Sequence, residues 1–137
     1  MSNVLGIDPG TRKAGFAILA EDGAVHDLGI EPIGGLLPRV RALIETYPVR
    51  AIALGRGTNA DVVAAELAPL GVPVVLVDER ETTLRARKLY FSDYPPRGWR
   101  RLIPLGMQVP PRPIDDYAAV LIARRFLDNA GVQPKVV

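Results

Sequence analysis

Gly6-Ile7-Asp8-Pro9-Gly10-Thr11-Arg12-Lys13-Ala14-Gly15-Phe16-Ala17 places one carboxylate at the end of a short apolar run, then turns into a second apolar run. Val4, Leu5 and Ile7 read as a buried strand bounded by turn residues. Gly10 and Gly15 bracket a tight connection of the kind glycine enters without strain. An Asp that closes a central strand projects its charge into a cleft while the strand stays rigid. That suits a metal ligand or a phosphate-handling group. The same Asp-Pro-Gly also fits an Asp that only caps the turn, and this stretch alone does not separate the two.

Outward from this stretch the periodicity changes in a regular way. Strands are predicted over about 3–8, 14–20 and, more weakly, 25–31, with Glu21-Asp22-Gly23 turning between the second and third. Leu36, Val40, Leu43, Ile44 and Tyr47 share one helical face over 35–47. Ala51–Leu54 is a short buried strand ending at Gly55. Thr58, with Asp61 three residues on, is expected to cap a helix that stops at Gly71. Val74–Val77 forms another buried strand, a basic helix covers about 82–92, and a last helix spans about 114–129. Six prolines between Asp93 and Pro113 exclude regular structure there. Three strands in meander followed by alternating helices and strands describe an α/β domain: a mixed five-stranded sheet flanked by helices on both sides. The expected organisation is one domain over 1–137, with a proline-rich basic loop at 93–113 and a fraying tail at 130–137.

Composition bounds the function. The chain has 137 residues, 48% hydrophobic and 23% charged, which is enough for a real core. It has no cysteine, so thiolate metal sites and disulfides are excluded. No apolar run approaches the roughly 18 residues that span a bilayer. Asp8 interrupts the first apolar run too early for a signal peptide. The expectation is a soluble cytoplasmic protein without a membrane partner. Net charge is only +2 but uneven: residues 1–79 carry 6 basic and 10 acidic side chains, and residues 80–112 carry 8 basic and 2 acidic. A basic segment beside a carboxylate-bearing half suits a polyanion held near a metal site, and equally a solvated helix face with a soluble loop.

Two further acidic positions stand where Asp8 could use them. Glu79 follows the buried strand Val74–Val77, at a carboxyl end of the kind where ligands bind in α/β sheets. Asp115 and Asp116 lie in the first turn of the last helix. From Asp115 the inward stripe runs through Ala118, Ala119, Ile122 and Phe126, so Asp115 is expected to face the sheet and Asp116 to sit about 100° round toward its edge. Acids also favour helix N-termini through capping and the dipole. Gathered with Asp8 and Glu79, however, they would form a costly uncompensated cluster, for which a divalent cation is the natural counterion. Carboxylate-only ligation suits Mg²⁺ or Mn²⁺, and two such ions can activate water against a phosphodiester. Asp116 joins Asp8, Glu79 and Asp115 as a candidate ligand.

Read together, Gly6-Ile7-Asp8-Pro9-Gly10-Thr11 with Gly15 and Ala17, Val77-Asp78-Glu79-Arg80-Glu81-Thr82-Thr83, and Ile114-Asp115-Asp116-Tyr117-Ala118-Ala119 resemble the motifs of the RuvC-like nucleases. The resemblance is closest to the YqgF (RuvX) family, described as Holliday-junction-resolvase-like and as pre-16S ribosomal RNA processing nucleases. It covers nearly the whole chain in the family's order. It implies an RNase H-like fold, with Asp8, Glu79 and Asp115 as metal-binding catalytic acids. Departures lie at Gly55-Arg56-Gly57-Thr58-Asn59, where the family has a Gly-x-Pro segment, and at Glu81, where an apolar residue is usual. Only Arg112 stands where a basic residue precedes the final Asp.

Nucleic-acid contacts are expected from Arg12 and Lys13 beside Asp8, from Arg56, and from Arg85, Arg97, Arg100 and Arg101 in the basic segment. Trp99 could stack on an unpaired base or fold over Leu102 and Ile103. His26 reads as a surface residue and Tyr117 as core or rim. The leading function is a divalent-metal-dependent nuclease acting on structured RNA, in ribosomal RNA precursor maturation, or on branched DNA as a Holliday junction resolvase. A symmetric junction would call for two active sites, hence a homodimer. A sugar-kinase or actin-like ATPase needs two such domains, and a non-catalytic binding module would have no need of all three acids.

Overall fold

The computed structural model describes residues 2–78, 82–94 and 114–128, without the side chains of 82–85 and 87. Its centre is β1 (Asn3–Asp8), the apolar run that ends in the first carboxylate. β1 pairs antiparallel with β2 (Lys13–Ala20) and parallel with β4 (Val49–Gly55). β3 (Val25–Pro32) extends the sheet beyond β2, and β5 (Val74–Val77) extends it beyond β4, giving the order β3-β2-β1-β4-β5. The expected mixed five-stranded sheet is present. Among the described residues, four α-helices accompany it: α1 (Leu36–Thr46), α2 (Ala60–Leu67), α3 (Thr82–Asp93) and α4 (Asp115–Asp128). None of the described helices is long and apolar enough to cross a membrane.

The period-two alternation of the strands sends large side chains to one face and small ones to the other. Leu5, Ile7, Phe16, Ile18, Ile52 and Leu54 pack under α1 and α2, against Leu36, Val40, Leu43, Val63 and Leu67. Each such burial contributes about 1.5–3 kcal/mol. The opposite face presents Val4, Gly6, Gly15, Ala17 and Ala53, and α4 lies on it through Ala119, Ile122, Ala123 and Phe126. A Cβ on Gly6 would stand 2.2 Å from the Ala119 carbonyl oxygen, and one on Gly15 would stand 1.9 Å from that of Asp115. Two strand glycines therefore let the helix backbone rest directly on the sheet. This contact fixes the height of α4 and delivers its first turn to the carboxyl end of β1.

Two local expectations are corrected. Thr58 does not cap α2: the helix begins at Ala60 behind Asn59, and neither residue supplies a side-chain cap. Asn59 instead spends its amide on the Gly10 carbonyl, 2.8 Å away, a bond 49 residues apart in sequence that outweighs the local preference. Asp116 does not sit at an open edge: it is only 5% exposed. Residues of α3 (Ala86, Tyr90 and Phe91) pack with Tyr117 and Ala118, so the first turn of α4 is covered on more sides than the sheet alone would cover. Other local readings of the described residues agree. α2 continues through a 3-10 turn at Ala68–Leu70 and stops at a left-handed Gly71, Tyr117 is buried, and His26 is exposed, its ring stacked on Tyr47 at 6.1 Å.

Candidate functional site

β1, β4 and β5 are parallel, so their carboxyl ends lie along one edge of the sheet, with Ile7 beside Leu54 and Gly55 beside Val77. β2 runs the other way and begins at that edge. Asp8 closes β1 opposite Gly15. Directly opposed residues of an antiparallel pair project to the same face. Because the missing Cβ of Gly15 points at the backbone of Asp115, Asp8 projects toward the same helix terminus. Two carboxylates that are 107 positions apart in the chain thus meet at one corner, Asp8 from the sheet and Asp115 from α4.

Lys13 opens β2 at this corner and pairs with Asp115, its Nζ 3.6 Å from Oδ2, with the two side chains 43% and 33% exposed. Asp116 accepts the Tyr117 backbone N–H at 3.0 Å through Oδ1. The Tyr117 hydroxyl donates to Asp93 Oδ2 at 3.0 Å, tying the end of α3 to the start of α4. The turn between β1 and β2 is held from both sides: Asn59 donates to the Gly10 carbonyl at 2.8 Å, and the Ile33 N–H donates to the Arg12 carbonyl at 2.8 Å. Arg12 and Arg56 are exposed on the same edge, and the Arg56 N–H donates to the Val77 carbonyl at 3.0 Å, joining the ends of β4 and β5.

The structure therefore pairs Lys13 with Asp115 and sets Asp8, Asp116, Arg12 and Arg56 on elements that end at the same edge of the sheet. Glu79, Arg97, Arg100 and Arg101 lie outside the described residues, as do Trp99, Arg112, the tail at 130–137 and all but Asp93 and Tyr94 of the loop expected at 93–113; the Arg85 side chain is likewise outside. Among the described residues, no three His, Asp or Glu side chains gather into a metal cluster. What Asp8 and Asp115 offer are oxygen donors, the chemistry that hard divalent cations take, on rigid elements beside cationic side chains that suit phosphate. That donor set fits Mg²⁺ or Mn²⁺. Asn59 was missed as a supporting residue. Its only local signal was a good capping residue preceding a helix, which says nothing of a bond to the Asp8 turn.

No model of a known protein family matches the chain. A protein of Pelotomaculum thermopropionicum named "putative pre-16S rRNA nuclease" is 32% identical over 93% of this chain and 88% of its own. Its namesake in Bacillus subtilis is 33% identical over 92% of this chain and 97% of its own. Among solved structures, RuvC of T. thermophilus in complex with a Holliday junction substrate superposes with a TM-score of 0.67 over the whole of both chains, at 18% identity. The large terminase nuclease of the thermophilic phage G20c, solved with bound zinc, superposes with a TM-score of 0.58 over 89% of this chain and 79% of its own, also at 18% identity. The structural likenesses show a shared RuvC-like, RNase H-like fold.

Proposed function

The chain belongs to the YqgF (RuvX) family of pre-16S rRNA nucleases, and on that premise we propose that it hydrolyses phosphodiester bonds in ribosomal RNA precursors with Asp8, Glu79 and Asp115 as its metal-holding acids. The chain is a nuclease with the RuvC-like fold, and nucleic acid is its substrate. One observation supports the site assignment above the rest: the strand-end Asp8 lies opposite Gly15, on which the backbone of Asp115 rests, and Lys13 pairs with Asp115. Glu79 enters by its motif and by following β5, whose end lies along the same sheet edge.

In the proposed site Asp8 and Asp115 hold divalent cations through carboxylate oxygens, with Glu79 as the third acid and Asp116 as a supporting one. The chemistry such ions supply when bound is activation of the attacking water and neutralisation of the leaving oxygen. Water adds to phosphorus, the bond to the leaving oxygen breaks, and the proton lost by the water balances the one gained on departure. The residues of the chain position this reaction. Gly15 holds the α4 terminus against the strands, and Gly6 seats the following turn at Ala119 and Ala123. Arg12, Lys13 and Arg56 offset phosphate charge. Arg85, Arg97, Arg100 and Arg101 supply backbone contacts farther along the strand, fixing position without reading sequence.

The test is a cleavage panel of precursor ribosomal RNA, duplex RNA, single-stranded DNA and four-way DNA junctions, each with Mg²⁺, with Mn²⁺ and with chelator. Metal-dependent cutting of the precursor RNA in preference to the others is expected. Preference for the four-way junction would instead make the chain a resolvase and would call for a homodimer. Equal binding with no cutting under any metal would make it a binding module.

A further inference from the structure

Lys13 and Asp115 form a loose pair. Their 3.6 Å separation exceeds the roughly 2.7–2.9 Å of a charge-assisted hydrogen bond, and both side chains are partly exposed, so the pair contributes at most about 1 kcal/mol. Its placement, by contrast, is strongly determined. A Cβ on Gly10 would stand 2.4 Å from the Lys13 carbonyl oxygen, so the turn closes tightly on the Lys13 backbone. That turn is held by Asn59 and Ile33. Asp115 is seated on Gly15. A rigid strand start thus delivers an ammonium group to the carboxylate of a rigid helix start.

We propose that Lys13 is an internal competitor for the Asp115 carboxylate: its ammonium must leave Asp115 when a divalent cation binds there, and the released ammonium is then free to turn to a substrate phosphate. This inference rests on reading Asp8 and Asp115 as a metal site. Two carboxylates directed to one corner repel, and an ammonium at Asp115 offsets that repulsion. A divalent cation carries twice the charge, so it displaces the ammonium, yet every binding event must break the Lys13–Asp115 attraction. Lys13 therefore lowers metal affinity while stabilising the protein in chelator. Its removal shifts the two quantities in opposite directions. A side chain serving only as a phosphate contact would alter neither without nucleic acid.

The experiment is calorimetric titration of Mn²⁺ into the wild type, Lys13→Met, Lys13→Gln, Lys13→Arg and Arg12→Met in the absence of nucleic acid, with melting temperatures measured in chelator. Lys13→Met and Lys13→Gln should bind Mn²⁺ about three- to tenfold tighter and melt below the wild type in chelator. Lys13→Arg should stay close to wild type. Arg12→Met removes a nearby charge that is not paired with Asp115 and should change affinity far less, which separates competition from a general field effect. Unchanged or weaker Mn²⁺ binding in both neutral Lys13 variants would overturn the proposal, as would an equal gain in Arg12→Met. Failure of the wild type to bind Mn²⁺ at millimolar concentration would overturn the metal-site reading itself and the competition with it.

Discussion

The two ends of the sheet each carry a carboxylate paired with a cation, and they are built differently. At the amino end of β1, Arg50 grips Glu21 with two parallel hydrogen bonds, from Nε to Oε1 and from Nη2 to Oε2, the second at 3.1 Å. The same guanidinium lies over the Phe126 ring, 5.3 Å from its centroid. At the carboxyl end, Lys13 meets Asp115 through one contact at 3.6 Å, and Asp8 projects to the same corner. A bidentate, ring-stacked guanidinium is held in one geometry by its carboxylate and its ring. A single ammonium on a flexible stem is exchangeable. The first pair belongs to the architecture, fastening β4 to the hairpin and to α4, and the second lies at the site we propose for the chemistry.

That contrast can be broken most forcefully at the acids. Asp8→Asn and Asp115→Asn should each lower cleavage by at least about 100-fold while circular dichroism and the urea midpoint stay near wild type. Glu21→Gln should cut at the wild-type rate. Comparable losses at both ends would erase the distinction between them. Asp116→Asn should be milder than either, since an amide oxygen can still accept the Tyr117 N–H.

The next effect concerns the seating of α4. Gly15→Ala places a methyl group where the Asp115 carbonyl stands, and Gly6→Ala does the same at Ala119. Both should destabilise by about 1–3 kcal/mol in urea titration. Only Gly15→Ala displaces the turn that carries Asp115, so its turnover should fall well beyond its loss of stability, whereas Gly6→Ala should cut normally once folded. Equal turnover in the two would show that the height of α4 at the corner is unimportant.

On the binding side, changing Arg97, Arg100 and Arg101 together to Ala should weaken all nucleic acids alike. The slope of log affinity against log salt should fall by about 2 for single strands. An unchanged slope would move the polyanion contacts to Arg12, Lys13 and Arg56. The smallest effect belongs to the far end. Hydrogen bonds from Arg50, with its positive charge adding, hold the Glu21 carboxyl below its usual range. The stabilisation is therefore present above the pH at which Glu21 ionises in the unfolded chain, and it is lost as pH falls through the lowered folded value. Both side chains are well exposed, so Glu21→Gln should cost less than about 0.5 kcal/mol near neutrality, and the difference from wild type should vanish in acid.

Most of the architecture was legible because its signals are local. Val4, Leu5 and Ile7 announce β1, Gly23 the hairpin, and Leu36, Val40 and Leu43 the buried face of α1. Of the expected inward stripe, Ala119, Ile122 and Phe126 lie against the sheet, whereas Ala118 packs with α3. What could not be read depends on where distant elements cross. The burial of Asp116 comes from α3 packing beside α4. The diversion of Asn59 from capping to the Gly10 carbonyl needs α2 to start beside the β1–β2 turn. The pairing of Glu21 with Arg50 needs β4 to lie next to β1. In each case the residue type was visible and its partner was not.

The most direct measurement of which end binds metal is affinity cleavage of the protein by Fe²⁺ with ascorbate, where radicals released at a bound ion cut the nearest backbone. Fragment termini should cluster around residues 8–13, near 56, and at 115–116, disappear when Mn²⁺ is added in excess, and be absent from the Asp8→Asn protein. Cuts concentrated near 21–23, 50 and 124–128, or spread without preference and indifferent to Mn²⁺, would contradict the assignment of the metal to the Asp8 corner.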